Sequence, residues 1–226
     1  MMTEEEIYQI YEAQESKKPT QKKSVLELWA KIFSTIFTPL LIPTYGAFIA
    51  LNFTFLGIVT SLSSRVIVVL GIFAFTCMVP ISVIALLYRY GKISDPGVNN
   101  QKDRLIPYAI TVLSYLASAI YLSNVNAPKW IPMFMIGGGV AALVSALINL
   151  KWKISAHGAA MGGLVSLMFA IWANGYATFN YMYITCIAII LAGIVGTSRL
   201  ILNCHTLGQV LAGTLNGFFW VFILTI

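Results

Sequence analysis

The chain predicts an all-α integral membrane protein, a bundle of six to seven transmembrane helices, on three observations. Hydrophobic residues make up 58% of its 226 positions and charged residues only 10%, with a mean hydropathy of +0.82, far from the composition of soluble domains. Apolar runs of the ~20 residues needed to cross a bilayer recur along the sequence. The acidic residues are segregated: Glu4, Glu5, Glu6, Glu12, Glu15 and Glu27 precede the first apolar run, and only Asp95 and Asp103 follow it, so no carboxylate falls inside a predicted span. Open strands are excluded because lipid leaves their backbone edges unsatisfied.

Residues 1–25 read as a polar N-terminal segment, flexible or folded as an interfacial helix. Ile7, Tyr8, Ile10 and Tyr11 stand at helical spacing between the Glu cluster and Lys17, Lys18, Lys22 and Lys23, which suit anionic lipid head groups. Residues 26–226 form the transmembrane domain, with spans expected at 29–52, 65–89, 106–123, 130–150, 157–174, 179–197 and 206–226. Pro39 and Pro43 should bend the first span, and Gly137, Gly138 and Gly139 should thin or loosen the fourth. Gly158–Gly162 and Gly213–Gly217 have the four-residue spacing that lets helices approach closely. No basic stretch, short apolar run and small-residue cleavage site open the chain, so the first span is expected to target itself. Cys77, Cys186 and Cys204 show no paired spacing and read as small buried residues.

With seven crossings, Lys17, Lys18, Lys22, Lys23, Lys31, Arg89, Lys92, Lys102, Arg104, Lys151, Lys153 and Arg199 share one side, and Arg65 and Lys129 the other. Setting aside Lys102, Arg104 and Arg199 as candidates for chemistry leaves nine against two. Excess Lys and Arg marks the cytoplasmic side, which places the N-terminus inside and the C-terminus outside. The net charge of +6 therefore reflects topology and lipid contact, not nucleic-acid binding, because no soluble basic domain exists to receive a duplex.

The remaining polar residues concentrate in three interruptions, Lys92–Pro107, Lys153–Gly158 and Ser198–Gln209, separated by even numbers of crossings and so on one face. Each feeds a helix start, with Pro107 suited to a first turn and Ser155 and Asn203 to caps. Helix N-termini attract anions, and Lys102, Arg104 and Arg199 add full charges, a field that suits a phosphate group. The only two histidines, His157 and His205, fall in these same interruptions. Histidine is the side chain that can move protons or attack an electrophile near neutral pH.

These residues resemble the type 2 phosphatidic acid phosphatase superfamily, whose motifs are a Lys/Arg segment ending in Pro, then Pro-Ser-Gly-His, then Ser-Arg-x5-His-x3-Asp. Ser198-Arg199, His205 and Gln209 follow the third spacing, and Ser155-Ala156-His157 the core of the second, over roughly residues 90–210. Three positions depart from the pattern. Ile154 replaces the motif proline, two residues separate Arg104 from Pro107, and Gln209 stands where the family has Asp; the first-motif lysine is either Lys102 or Lys92.

The resemblance implies a metal-independent phosphatase of a membrane lipid phosphate, such as phosphatidate, phosphatidylglycerol phosphate or a polyprenyl phosphate or diphosphate. It needs no cofactor and has the bilayer and its lipid substrate as partners. By family roles His205 is the nucleophile that forms a phosphohistidine and His157 the general acid, with Arg199, Arg104, Lys102, Ser155 and Ser198 around the phosphoryl oxygens. Gln209 takes the place of the carboxylate that orients the nucleophile, without its charge. A lipid phosphotransferase on the same scaffold and a non-catalytic lipid-phosphate binder or transporter stay open as alternatives. The expected location is a bacterial or archaeal plasma membrane, with the site on the cytoplasmic face.

Overall fold

The computed structural model describes residues 24–226, apart from residues 96 and 99; the expected N-terminal amphipathic segment lies outside them. Helix α1 covers residues 24–36, followed by α2 (Ile42–Asn52), a single turn α3 (Leu56–Val59), α4 (Leu62–Phe73), α5 (Val79–Arg89), α6 (Leu105–Asn124), α7 (Trp130–Asn149), α8 (Ala156–Ala173), α9 (Met182–Ile201) and α10 (Leu207–Thr225). The chain is an all-α multi-pass membrane protein. Six helical stretches of the described residues are long and apolar enough to cross a bilayer, beginning with α4 and α5 joined as Leu62–Arg89. Leu113, Leu147, Ile190 and Leu215 are exposed on their outer faces, as lipid-facing positions should be.

The expected first span is broken. Residues 37–41 leave the helix, and Pro43 opens α2 where its missing N–H costs nothing. The two short helices nevertheless reach from end to end of the bundle. Ser34 touches His157 at the start of α8, while Phe55 donates its N–H to the Tyr176 carbonyl just past the end of α8. A second deviation joins α4 to α5, where Ala74–Met78 winds as a π-helix. Pro80 cannot donate to the carbonyl four residues back, and the wider turn accommodates the loss.

The most extensive helix contact is between α8 and α10, and the two small-residue pairs make it. A Cβ on Gly158 would stand 2.7 Å from the Val210 carbonyl oxygen, and on Gly162, Gly213 or Gly217 it would collide with the carbonyls of Thr214, Ser155 or Ala159. Each helix thus presses its glycines onto the other's backbone, the close packing that spans use where lipid supplies no hydrophobic drive between helices. The glycine run in α7 acts likewise and does not loosen that helix, which is continuous. Gly137 faces the backbone of Val221 and Gly138 the ring of Tyr115. Of the three cysteines, Cys77 is buried and Cys204 partly so, but Cys186 is exposed on α9, against expectation.

Candidate functional site

The three polar interruptions meet at one end of the bundle. In the first, Asp103 ties the loop by accepting from the Ser94 N–H (2.8 Å) and hydroxyl (2.5 Å). A short 3-10 turn, Gln101–Arg104, docks on the end of α7: the Gln101 amide donates to the Asn149 carbonyl at 2.7 Å and the Asn149 amide to the Gln101 carbonyl at 3.0 Å. That turn aims Arg104 inward. Arg104 is 6% exposed, and its Nε and Nη1 donate to the carbonyls of Val98 and Ile154, both at 2.9 Å. These bonds use two of the guanidinium's five donors.

The second interruption starts α8. Ser155 is its N-cap, as expected, and accepts from the Gly158 N–H at 3.1 Å. Its own N–H donates to the Gln209 carbonyl at 3.2 Å, stitching the start of α8 to that of α10. Ser155 is thus buried in structural bonds and does not line the cavity described below. In the third interruption, Asn203 does not cap α10 as expected. It takes a left-handed φ of 51° just past α9, and Thr206 caps α10 in a capping box with Gln209. Ser198 bonds back to the Ile194 carbonyl at 2.8 Å, within its own helix.

Gln209 fixes the chemistry of His205. Its Oε1 lies 3.2 Å from the Thr206 N–H and 3.1 Å from His205 Nδ1. A backbone N–H can only donate, so the amide atom facing both groups is the oxygen. Nδ1 must then carry the ring proton, and Nε2 is left with its lone pair. His205 is 8% exposed. Burial, aided by the nearby Arg104 and opposed by the Gln209 bond, pushes its pKa down to about 4, so the ring is neutral at pH 7. The pKa of Lys153 is likewise pushed down, by burial first and then by the positive Arg104.

The first helix supplies a residue that the sequence reading missed. Ser34 Oγ accepts from Arg199 Nη1 at 2.7 Å and lies 3.2 Å from His157 Nε2. The Ser34 carbonyl lies 3.0 Å from that same nitrogen. A carbonyl cannot donate, so His157 carries a proton on Nε2. The available signal was the cluster of hydroxyls Ser34, Thr35 and Thr38 before Pro39 in an otherwise apolar run.

A cavity of ≈ 460 Å³ collects these groups. Ser34, Arg104, His157, Arg199 and His205 line one end; Tyr115, Phe134, Gly163 and Val221 line the remainder. No Asp or Glu is among the described lining residues: Asp103 is spent on Ser94, and Asp95 accepts from the Gly97 N–H at 3.1 Å. Lys102 and Lys92 are both exposed and do not line the cavity, so of the expected cationic clamp only the arginines converge. No group of three or more His, Cys, Asp or Glu residues positioned to hold a metal ion occurs among the described residues. Such a site can bind an anionic head group between two guanidinium groups, with one histidine presenting a lone pair and another a proton. Comparison of the chain with models of protein families, with curated proteins and with solved structures finds no match.

Proposed function

We propose that the protein is a membrane lipid-phosphate phosphatase that works through a phosphohistidine on His205. The observation that carries this reading is the single cavity in which two buried arginines and both histidines of the chain stand at the head of an apolar shaft, the shape and polarity of a lipid phosphate. Phosphoryl transfer asks mainly for positioning and charge stabilisation, and buried guanidinium groups supply both with bidentate geometry.

In the proposed reaction, His205 Nε2 attacks phosphorus while the bond to the lipid oxygen breaks. His157, protonated on both ring nitrogens once the dianionic phosphate sits beside it, passes its Nε2 proton to that leaving oxygen, which displaces the Ser34 carbonyl as its acceptor, and is left as a neutral imidazole. Water then attacks the phosphohistidine, giving its proton to His157 and releasing phosphate from His205. The Gln209 oxygen holds the imidazole ring through Nδ1–H, as a carboxylate would, but offers no charge to offset the imidazolium formed on attack. On the distribution of Lys and Arg, the site belongs to the cytoplasmic face.

Phosphate release from a panel of lipid phosphates, in the presence of chelator, tests the proposal. His205→Ala and His157→Ala should each lower release by two orders of magnitude or more; full activity in both variants would sink the assignment. The neutral Gln209 favours a second reading, a lipid-phosphate binder without turnover. It predicts saturable binding but no acid-labile phosphoprotein.

A further inference from the structure

The face that α7 turns to the cavity is apolar except at one position. Phe134, Gly138, Ala141, Ala142 and Ser145 line the cavity at the spacing of a single helical stripe, and Ser145 is the member nearest the cationic end. It stands one helical turn, about 6 Å, from Asn149, which is bonded to Gln101 on the short turn that carries Arg104. Ser145 is 0% exposed, so its hydroxyl has to find its partners in the protein or in what fills the cavity.

An asparagine behind the stripe decides how that hydroxyl is used. Asn216 of α10 places its Nδ2 2.9 Å from the Ala141 carbonyl oxygen and 3.0 Å from Ser145 Oγ. A carbonyl can only accept, so the amide atom on that side is the nitrogen, and an amide nitrogen can only donate. Ser145 Oγ therefore accepts from Asn216 and keeps its own proton to place. Serines inside helices commonly give that proton to the carbonyl four residues back; here that carbonyl belongs to Ala141 and is engaged by Asn216. Within the described residues the Ser145 hydroxyl donates to no acceptor, its one bond being the one it receives. Thr111 on the α6 wall is the contrast, since its hydroxyl is spent on the Pro107 carbonyl at 2.8 Å. A buried donor left without an acceptor is costly, and an oxygen of a bound molecule would satisfy it.

We propose that Ser145, positioned by Asn216, is a specificity-determining residue that donates to an oxygen in the body of the lipid, two carbons beyond the oxygen that bridges to phosphorus. This rests on the lipid-phosphate reading above. Four single bonds of an extended chain reach about 5 Å from phosphorus, close to the one turn that separates Ser145 from the level of Asn149. A glycerolipid phosphate carries an ester or ether oxygen at that place. A polyprenyl phosphate or diphosphate has only hydrocarbon there and leaves the donor unsatisfied.

Phosphonates, which are not hydrolysed at the C–P bond, test this without turnover. 3-(Octyloxy)propylphosphonate and dodecylphosphonate are matched in chain atoms and differ by one oxygen in place of one methylene, at the position named. Their affinities are read by displacement of radiolabelled dodecylphosphonate from the full-length protein in detergent micelles. Partitioning of each ligand into micelles cancels when variants are compared with wild type. Ser145→Ala should lower the ratio of ether to alkyl affinity threefold or more, since one neutral hydrogen bond of ~1 kcal/mol corresponds to about fivefold. Asn216→Leu frees the Ala141 carbonyl for the Ser145 hydroxyl, so it should lower the ratio as well, and it serves should the first variant fail to fold. 3-(Octanoyloxy)propylphosphonate, run in parallel, tells an ester from an ether linkage: dependence of either ligand on Ser145 supports the proposal, and the stronger one names the linkage. A smaller change in the ratios, including equal losses for all three ligands, overturns it. Binding of none of them to the wild-type protein would refute the lipid-phosphate reading and this inference with it. Binding that depends on Ser145 without any phosphate release from the matching phosphates would support the inference and refute the phosphatase reading alone.

Discussion

Gly217→Ala is the sharpest perturbation of the scaffold that holds the two histidine loops together. The added Cβ would overlap the Ala159 carbonyl oxygen and stand 2.8 Å from the Ala159 Cα. Both obstacles are backbone, so no rotamer change relieves them, and α8 and α10 must part by about 1 Å across their longest contact in a close-packed interior. Overpacking of this kind costs about 1–3 kcal/mol, with the upper end expected because the neighbour cannot yield. Gly193→Ala on α9 is the control. Nothing lies within 4 Å of its Cβ, and alanine should gain up to ~1 kcal/mol of helix propensity. The two variants, identical in composition, should therefore differ by about 2–4 kcal/mol in reversible SDS unfolding from mixed micelles, followed by tryptophan fluorescence. A difference below about 1 kcal/mol would mean that the glycine pairs do not set the helix separation.

The depressed pKa of His205, about 4 against an ordinary 6.5, means that between these values the unfolded chain binds more protons than the folded one. His205 should therefore destabilise the fold progressively as pH falls through that window. The part of the acid sensitivity that His205→Asn abolishes measures this. Inorganic phosphate, placing negative charge beside the ring, should raise the His205 pKa when followed by NMR; no movement at saturating phosphate would place the anion elsewhere. Gln209→Glu keeps the shape but adds a carboxylate at His205 Nδ1, so the His205 pKa should rise by at least one unit and, if Gln209 limits turnover, phosphate release at neutral pH should increase. Ser34→Ala removes the hydroxyl that accepts from Arg199 while keeping the carbonyl that holds His157. It should raise KM for lipid phosphate severalfold with a smaller change in kcat, whereas an equal fall in both kcat and kcat/KM would indicate that Ser34 acts only in the transition state.

The amino-acid sequence by itself determined the membrane class and the position of nearly every helix, because the bilayer demands long apolar runs and the chain has few other patterns. It also marked His157, His205, Arg199 and Arg104, since a charged or titratable residue in so apolar a chain is conspicuous. Ser155 and Ser198 were equally visible, but sequence spacing does not say whether a hydroxyl faces a ligand or its own helix, and both turn to backbone. Lys102 and Arg104 lie two residues apart on one short turn, and only the docking of Gln101 on Asn149 decides that the arginine points in and the lysine out. Tertiary structure alone brought Ser34, 123 residues away in sequence, onto His157. It also joined the cationic end to an apolar cavity lined from several helices. Contacts between distant helices depend on how glycines let backbones meet, and that geometry exists only once the bundle has packed.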